Sequence, residues 1–519
     1  MILIKGGTIV DGTGKPAYQG DVLVDGDKIT EVCPSTVRLP TSTCETINAE
    51  GMIVSPGFID AHTHSDAYLV IEPDAPSKVT QGVTTEINGQ CGGSVAPRYG
   101  EARLSSDWAA ILGDRLTWRS LAEYREVLAA AKPAVNTVQF IGHNTLRSSV
   151  VGYGATASSP SQLKEMERLL AESLDEGGWG LTTGLIYQPG KYSTPAEVVA
   201  LAKVAAAKGG YYATHMRSEG DRILEAIDEV IELVKATGIK AEISHLKTSG
   251  RKNWDKIDAV LDKIEGAMAT GLLLGSDRYP YCAAGTDLDI VLPDWAQVGG
   301  CPAEIDRIVN CELRMKIVDE INAQDRDWST VMIGDTWAPE NKRYSGKTVA
   351  EIVGRESSPG ALVTSILERD GCKTGAFFFG MSEENLAKIY SRPWIVPGSD
   401  ASLRAPWGPL GADHPHPRAY ATMPEFYRRV RELGFSREAT VARMTSVIAD
   451  HFGIKGRGRI EKGAFADLVV WSEAEFKAKA TFTEPHQFTG GVRCVMTNGV
   501  VSYRDGKFTG NRGGRFLER

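Results

Sequence analysis

The stretch Pro56-Gly57-Phe58-Ile59-Asp60-Ala61-His62-Thr63-His64 joins an apolar run to a His-x-His pair. Successive side chains of a β-strand point to opposite faces, so His62 and His64 project to the same side. Neutral imidazole is a good ligand for zinc. The stretch therefore predicts a buried strand that ends in a metal site. Taken alone, the pair could equally be two unrelated polar residues in a loop.

Seven further apolar runs follow this one and alternate with amphipathic segments, which predicts βα units and a parallel sheet. Ser159-Pro160-Ser161-Gln162 and Thr194-Pro195-Ala196-Glu197 are each typical of a capping box with proline at the first helical position. Eight buried strands predict an α/β protein with a (β/α)8 TIM-like barrel, although a doubly wound sheet could also hold several of them. The predicted strands are 53–60, 83–88, 137–142, 179–183, 210–214, 240–244, 271–276 and 394–398.

Both ends of the chain consist of short strand-like runs separated by turn signals, such as Asp25-Gly26 and Asn498-Gly499. We therefore predict a small β-sandwich domain formed by residues 1–54 and 453–519, with the barrel between them at 55–452. The stretch from 283 to 393 is much longer than a βα connection needs. It predicts an insertion after strand seven, at about 283–345.

Three further candidate ligands follow predicted strands. His215 ends strand five, His245 ends strand six, and Asp400 follows strand eight. Each has an ordinary alternative, since a buried histidine is commonly hydrogen-bonded in the core and an aspartate after a strand is commonly a cap. Barrels of this type keep their active sites at the carboxyl ends of the strands. Together with the His-x-His pair, these residues therefore predict a metal centre at that end.

The bulk properties exclude several other kinds of protein. The chain has 519 residues and a net charge of −8, without a dense Lys/Arg run, so we predict no nucleic-acid partner. It has no signal-peptide pattern and no apolar run of about 18 residues, so we predict no membrane partner. The eight cysteines form no CxxC pair, which favours reduced thiols in a cytoplasmic protein. The oligomeric state is left open.

Several longer motifs accompany the candidate ligands and extend from about residue 50 to 470. With them the chain resembles the N-acyl-D-amino-acid deacylase (D-aminoacylase) family of the amidohydrolase superfamily. The motifs are 86–92, 142–147, 184–190, 214–217, 244–247, 277–281, 398–400 and 416–418.

The resemblance implies a particular zinc centre. One tightly held Zn2+ would lie on Cys91, His215 and His245, and a second, weaker position would be lined by His62, His64 and Asp400. Thiolate and imidazole both suit zinc. The alternative for Cys91 is a small buried apolar residue, the usual fate of a free cysteine.

The resemblance also implies the reaction, which is the zinc-dependent hydrolysis of N-acyl-D-amino acids to a D-amino acid and a carboxylate. Zinc lowers the pKa of bound water toward neutrality, so a metal-activated hydroxide attacks the carbonyl. Asp400 would act as general base and then as general acid. His143, after strand three, either donates to the developing oxyanion or has a structural role.

A small-molecule N-acyl amino acid is the partner implied, and its α-carboxylate needs cationic and hydroxyl donors. Residues just past strands four to seven are candidates to bind it, although Arg217 could instead form a structural ion pair. The candidates are Lys247, Tyr187, Tyr279, Tyr281 and Arg217.

One segment departs from the family pattern, because the loop 401–415 is longer than expected and borders the mouth of the site. Its Arg404 either binds an acidic substrate side chain or, as the default, faces solvent. Two other functions stay open. One is another amidohydrolase activity, as a cyclic amidase or an aminohydrolase, although Cys91 stands where the bridging lysine of such enzymes is expected. The other is a non-catalytic barrel scaffold.

Overall fold

The strand that precedes the His-x-His pair belongs to a ring of parallel strands. The structure, a computed structural model, describes residues 1–34, 44–104, 106–354 and 357–519. Each ring strand pairs in parallel with the next one along the chain. In chain order these strands are β1 (Phe58–Asp60), β2 (Val83–Asn88), β3 (Asn136–Gln139 and Ile141–Gly142), β4 (Gly180–Gly184), β5 (Tyr211–His215), β6 (Lys240–Ile243), β7 (Leu274–Arg278) and β8 (Ile395–Pro397).

Backbone hydrogen bonds between the ends of β1 and β8 close this ring. Ala61 N donates to Pro397 O at 3.2 Å, and Asp400 N donates to His62 O at 2.8 Å. Thr63 also forms a parallel bridge with Ala401. A doubly wound sheet reverses its strand order next to the first strand and keeps two open edges, whereas these strands pair in sequence and the last returns to the first. The (β/α)8 barrel is therefore confirmed and the doubly wound alternative is wrong.

Helices follow the ring strands and bury their apolar sides, as Ile227, Val230 and Val234 show in Ile223–Thr237. The α-helices around the barrel are Tyr68–Ile71, Pro76–Val79, Ser106–Leu112, Leu121–Ala131, His143–Val150, Pro160–Asp175, Pro195–Ala207, Ile223–Thr237, Ile257–Ala269, Glu383–Tyr390, Arg418–Glu432, Arg437–Arg443 and Ser446–Phe452. Short 3-10 turns lie at Gly113–Arg115, Gly190–Tyr192, Arg251–Lys256 and Gly408–Gly411. Within the described ranges, no helix combines the length and apolar character needed to cross a bilayer.

The two predicted capping boxes have different outcomes. Ser159 and Gln162 exchange both hydrogen bonds of the box. Thr194 accepts a hydrogen bond from the N–H of Glu197, but the carboxylate of Glu197 points to the side chains of Arg147 and His143 instead. The helix start was thus predicted correctly, whereas the acidic side chain serves another purpose.

The two ends of the chain share one sheet. Ile53–Pro56 pairs antiparallel with Leu468–Trp471 and parallel with Ile2–Ile9, so N-terminal and C-terminal strands are neighbours. Residues 35–43, inside the predicted segment 1–54, lie outside the described residues, and the boundaries at 54 and 453 stay predictions. The strands of this sheet are Ile2–Ile9, Tyr18–Asp25, Lys28–Pro34, Glu45–Asn48, Ile53–Pro56, Leu468–Trp471, Val492–Thr497, Val500–Arg504 and Lys507–Phe508.

A separate unit lies between β7 and β8 and has its own apolar core. In it, Gly375–Phe378 pairs antiparallel with both Ala284–Asp287 and Val331–Ile333. The strand Gly375–Phe378 lies beyond the predicted insertion of 283–345, whose bounds stay a prediction. The α-helices of this unit are Asp294–Gln297, Cys301–Val309, Cys311–Asn322, Val349–Val353 and Pro359–Asp370, with 3-10 turns at Leu288–Val291, Trp328–Thr330 and Lys342–Tyr344.

The predicted strand 53–60 is in fact two strands that meet at Gly57. Ile53–Pro56 belongs to the terminal sheet, whereas β1 belongs to the barrel. The N–H of Gly57 donates to Asp467 O at 2.8 Å. A Cβ added to Gly57 would lie 2.1 Å from Thr84 Oγ1. The apolar pattern continues through this break, so periodicity alone gave no sign of it.

We expect Gly57→Ala to lower the stability of the protein, because the new methyl group would overlap Thr84 of β2. Overpacking of this kind costs about 1–3 kcal/mol or more. The matched control is Gly266→Ala inside Ile257–Ala269, where an added Cβ meets nothing within 4 Å and alanine gains about 1 kcal/mol over glycine. The midpoint of unfolding in guanidinium chloride should fall for the first variant and not for the second. Equal midpoints would contradict the packing argument.

Candidate metal centre

The predicted ligands converge on the thiol of Cys91 at the carboxyl end of the barrel. Its Sγ lies 3.3 Å from His62 Nε2 and 3.3 Å from His245 Nε2. The Nδ1 atom of His215 is 3.8 Å away. These residues follow or end four different ring strands, so closure of the barrel is what brings them together. The structure thus gathers three buried imidazoles around one partly buried thiol.

Asp400 completes this cluster from the end of β8. Its Oδ1 lies 3.3 Å from His62 Nε2 and 3.0 Å from His64 Nε2. Donor atoms of His62, Cys91, His245 and Asp400 all lie within 4.8 Å of one another. Every residue that was predicted to bind metal therefore either belongs to this cluster or contacts it.

Three of the site residues have backbone conformations that residues other than glycine rarely adopt. The φ angles are 52° at Cys91, 39° at His245 and 50° at Asp400, all in the left-handed region. Each such residue costs on the order of 1–3 kcal/mol and persists only where the surrounding structure fixes it. The barrel rim therefore holds these donors in strained conformations, as is common at functional sites.

The charges around the site favour the ionised forms of its thiol and of its carboxylate. Burial raises the pKa of the Cys91 thiol, but the imidazoles of His62 and His245 outweigh burial and hold that pKa well below its usual range. Burial likewise raises the pKa of Asp400, yet the guanidinium of Arg418, whose Nη1 donates to Oδ2 at 2.8 Å, keeps it well below the usual value. Thiolate, imidazole and carboxylate are the donors that zinc prefers. The residues present therefore fit a zinc-type ion.

Two carboxylates that sequence reasoning missed orient the imidazoles. Asp277 on β7 contacts the ring of His62 at Nδ1, 3.2 Å away, and accepts from the backbone N–H of His245 at 3.0 Å. Glu219 lies 3.0 Å from His245 Nδ1 and 3.4 Å from His215 Nε2. Such partners fix the ring orientation of metal-binding histidines. Asp277 could have been found from its position near the end of a predicted strand, whereas Glu219 lies in a loop and no sequence pattern marks it.

The candidate substrate residues surround the cluster. Lys247 lies with its Nζ 2.8 Å from His245 Nδ1 and forms an ion pair with Glu219. The ring of Tyr187 meets His215 edge-on at 4.9 Å between centroids. The ring of Tyr279 is 6.4 Å from that of His245. These side chains are therefore close enough to touch a molecule bound at the cluster.

The remaining candidates differ in their contacts. Tyr281 packs on the ring of His416 at 5.2 Å, and its buried hydroxyl has no hydrogen-bond partner. Arg217 forms two hydrogen bonds to Glu229, at 2.9 and 3.0 Å, which is the ion pair of the alternative interpretation. The role of Arg217 in substrate binding stays a prediction that these contacts do not favour.

Arg404 does not face solvent, so that default expectation is wrong. Its Nε lies 2.6 Å from Asp413 Oδ2 and its guanidinium lies 4.7 Å from the centre of the Tyr68 ring. The side chain is 11% exposed. Asp413 belongs to the same loop 401–415, so this loop provides the counter-charge of its own arginine.

His143 lies in a buried charged cluster. It begins the helix His143–Val150, and its Nε2 contacts Glu197 Oε1 at 2.8 Å while Nδ1 has no hydrogen-bond partner. Arg147 Nη1 donates to both oxygens of Glu197, at 2.8 and 2.6 Å. Ser158 donates to the same carboxylate at 2.6 Å. The catalytic role of His143 stays a prediction, and the contacts support a structural one.

A closed barrel with a thiol, imidazole and carboxylate cluster at its carboxyl face is the architecture of a metal-dependent hydrolase. Residues 45–503 match the amidohydrolase family, and the chain belongs to that family. It is 32% identical to the N-acyl-D-glutamate deacylase of Alcaligenes xylosoxydans xylosoxydans, over 100% of this chain and 96% of that protein. The resemblance predicted from the motifs is thereby confirmed.

Two solved structures match the whole chain with a TM-score of 0.83. One is a D-aminoacylase described as having a binuclear metal centre with one-metal activation and second-metal attenuation. It is 31% identical, with 100% of this chain and 99% of that chain covered. The other is the N-acyl-D-glutamate deacylase of Bordetella Bronchiseptica complexed with zinc and a phosphonate that mimics the tetrahedral intermediate. It is 30% identical at the same coverage.

We expect Glu197→Gln to destabilise the protein by about 3–5 kcal/mol at pH 7, because it leaves buried Arg147 without its counter-charge. Burial raises the pKa of Glu197, but hydrogen bonds from His143 and Ser158 outweigh it and lower that pKa from 4.5 to about 2. The ionised carboxylate therefore contributes stability that is complete above pH 4.5 and is lost as the pH falls toward 2.

Denaturant unfolding at pH 7 and at pH 3.5 measures this dependence. The difference between wild type and Glu197→Gln should be smaller at the lower pH. Glu165→Gln is the matched control, since Glu165 pairs with Arg168 on an exposed helix surface and such pairs contribute about 0–1 kcal/mol. A difference that grows on acidification would show that the sign of this argument is wrong.

Proposed function

We propose that the protein is an N-acyl-D-amino-acid deacylase, which hydrolyses the amide bond of an N-acyl-D-amino acid to give a D-amino acid and a carboxylate. The observation that carries this proposal is the thiol of Cys91 among the imidazoles of His62, His215 and His245 at the carboxyl end of the barrel. The named relatives, which match over nearly their full length, support the substrate class.

We assign the tightly held Zn2+ to Cys91, His215 and His245, and a weaker second position to His62, His64 and Asp400. The thiol is as close to His62 as to His245 and farther from His215, so the distances alone allow His62 in the first set. The family resemblance favours His215. A bound zinc ion would polarise the substrate carbonyl and lower the pKa of a water molecule at the site.

Asp400 is the proposed general base and acid. Arg418 and the imidazole of His64 hold its carboxylate ionised, through contacts of 2.8 and 3.0 Å. An ionised carboxylate takes the proton of the attacking water and can deliver it to the leaving nitrogen of the amide. Its position at the end of β8 places it beside the thiol cluster rather than in solvent.

The α-carboxylate of the substrate would be bound by Lys247 with help from Tyr187, Tyr279 and Tyr281. Lys247 already pairs with Glu219. A substrate carboxylate would therefore share this buried cation with Glu219, which also contacts the imidazoles of His215 and His245. No disulfide is present within the described residues, which fits a reducing compartment, and we further propose that the protein is cytoplasmic.

Cys91→Ala should remove the tightly held zinc and lower kcat/KM by more than about 100-fold, since even outer partners of metal ligands contribute 10–100-fold. Cys33→Ala, in a strand of the terminal sheet, should keep both properties. Elemental analysis of the purified variants, together with initial rates, checks this. Full zinc and full activity in Cys91→Ala would refute the ligand assignment.

A substrate screen tests the stereochemistry. N-acetyl-D-amino acids with acidic and apolar side chains should be hydrolysed, while their L-enantiomers should react far more slowly. Release of free amine measures both series under the same conditions. Turnover confined to the L-series would contradict the D-selectivity, and turnover confined to a cyclic amide would favour the cyclic amidase alternative.

A further inference from the structure

A second group of metal-ligand side chains lies in the unit between β7 and β8. Asp289 belongs to the 3-10 turn Leu288–Val291, and Cys301 and Glu304 lie in the first turn of Cys301–Val309. One donor atom from each of these three residues lies within 4.8 Å of the others. Cys372 is next to them, because Cys301 Sγ contacts the carbonyl oxygen of Cys372 at 3.8 Å.

One oxygen of this group is buried without a partner. Glu304 is 3% exposed, and its Oε2 forms no hydrogen bond. The basic side chain whose charge acts on Glu304 is that of Arg307, but its Nη1 donates to the carbonyls of Ala296 and Val298. A buried carboxylate without a counter-charge is costly unless a proton or a cation joins it. The unpartnered oxygen of Glu304 is therefore positioned to bind a cation.

We propose that Asp289, Cys301 and Glu304 form a second metal site, for a divalent cation of the zinc type, with Cys372 in reach as a fourth donor. A thiol among the donors favours zinc, cobalt or cadmium over calcium or magnesium, which take oxygen ligands. The spacing Cys301-x-x-Glu304 places both side chains on one face of the helix. Zn–O and Zn–S bonds of about 2.0–2.3 Å can bring together donors that start within 4.8 Å.

This site would be structural rather than catalytic. Cys372, Leu288 and Ile308 belong to the apolar core of the inserted unit, which is separate from the core of the barrel. A cation there joins the turn Leu288–Val291 to the helix Cys301–Val309 and to the chain after Pro359–Asp370. A metal ion competes with protons for its thiolate and carboxylate ligands, so binding weakens as the solution becomes more acidic.

Alkylation of the wild-type protein tests the proposal without any substitution. Full-length protein, stripped of metal by a chelator, is treated with iodoacetamide in the presence and absence of Zn2+, and each cysteine is read by peptide mass spectrometry. Zn2+ should slow the alkylation of Cys301 at least tenfold and leave Cys311, an exposed cysteine at the start of the next helix, unchanged. Equal rates at Cys301 with and without Zn2+ would overturn the proposal, as would a disulfide between Cys301 and Cys372.

Metal counting separates this site from the barrel centre. Cys301→Ser/Glu304→Gln should bind one ion fewer per chain than wild type and keep its hydrolytic activity. Cys311→Ser/Glu312→Gln, a cysteine–glutamate pair on the neighbouring helix, should bind the wild-type number. If the first variant does not fold, Asp289→Asn replaces it under the same criterion. An unchanged ion count in the folded variant would overturn the proposal and would leave the deacylase assignment intact.

Discussion

The thiol of Cys91 lies between imidazoles that reach it from several strands of the barrel, and this convergence depends on ring closure. A buried lysine strengthens that closure beneath the site. Lys78 Nζ donates to Asp60 Oδ2 at 2.9 Å, to Ser399 Oγ at 3.0 Å and to Ala401 O at 3.1 Å. It thereby ties β1 to the segment after β8 at the seam of the barrel. Fixed strand ends of this kind make it possible to hold Cys91, His245 and Asp400 in strained backbone conformations.

The charged groups of the site form pairs of opposite sign. Arg418 keeps Asp400 ionised, while Asp277 and Glu219 contact the imidazoles on the sides that face away from the thiol. Lys247 balances Glu219. Each buried charge therefore has a partner of opposite sign, which a low-dielectric site requires.

Sequence patterns predicted the barrel and the histidines and aspartate that meet at its carboxyl end, because both depend on short-range regularities. Cys91 was indicated by the family resemblance. A histidine or an aspartate after an apolar run marks the carboxyl end of a buried strand, and in a closed barrel those ends meet. Loop positions carry no such periodicity, so Glu219 was missed. Gly57 was missed for another reason, since the apolar run passes unbroken from one sheet into the next while the break depends on contact with Thr84. Glu197 has the spacing of a capping box, but its carboxylate accepts from Arg147 instead of from the N-cap backbone.

X-ray absorption at the zinc edge tests the central claim most directly. The measurement uses the Cys301→Ser/Glu304→Gln chain loaded with one equivalent of zinc, so that the barrel centre alone contributes. We predict one sulfur scatterer at about 2.3 Å, together with nitrogen and oxygen scatterers at about 2.0–2.2 Å. A shell of nitrogen and oxygen alone would contradict the assignment of the Cys91 thiol as a zinc ligand, and with it the account of how this barrel activates water.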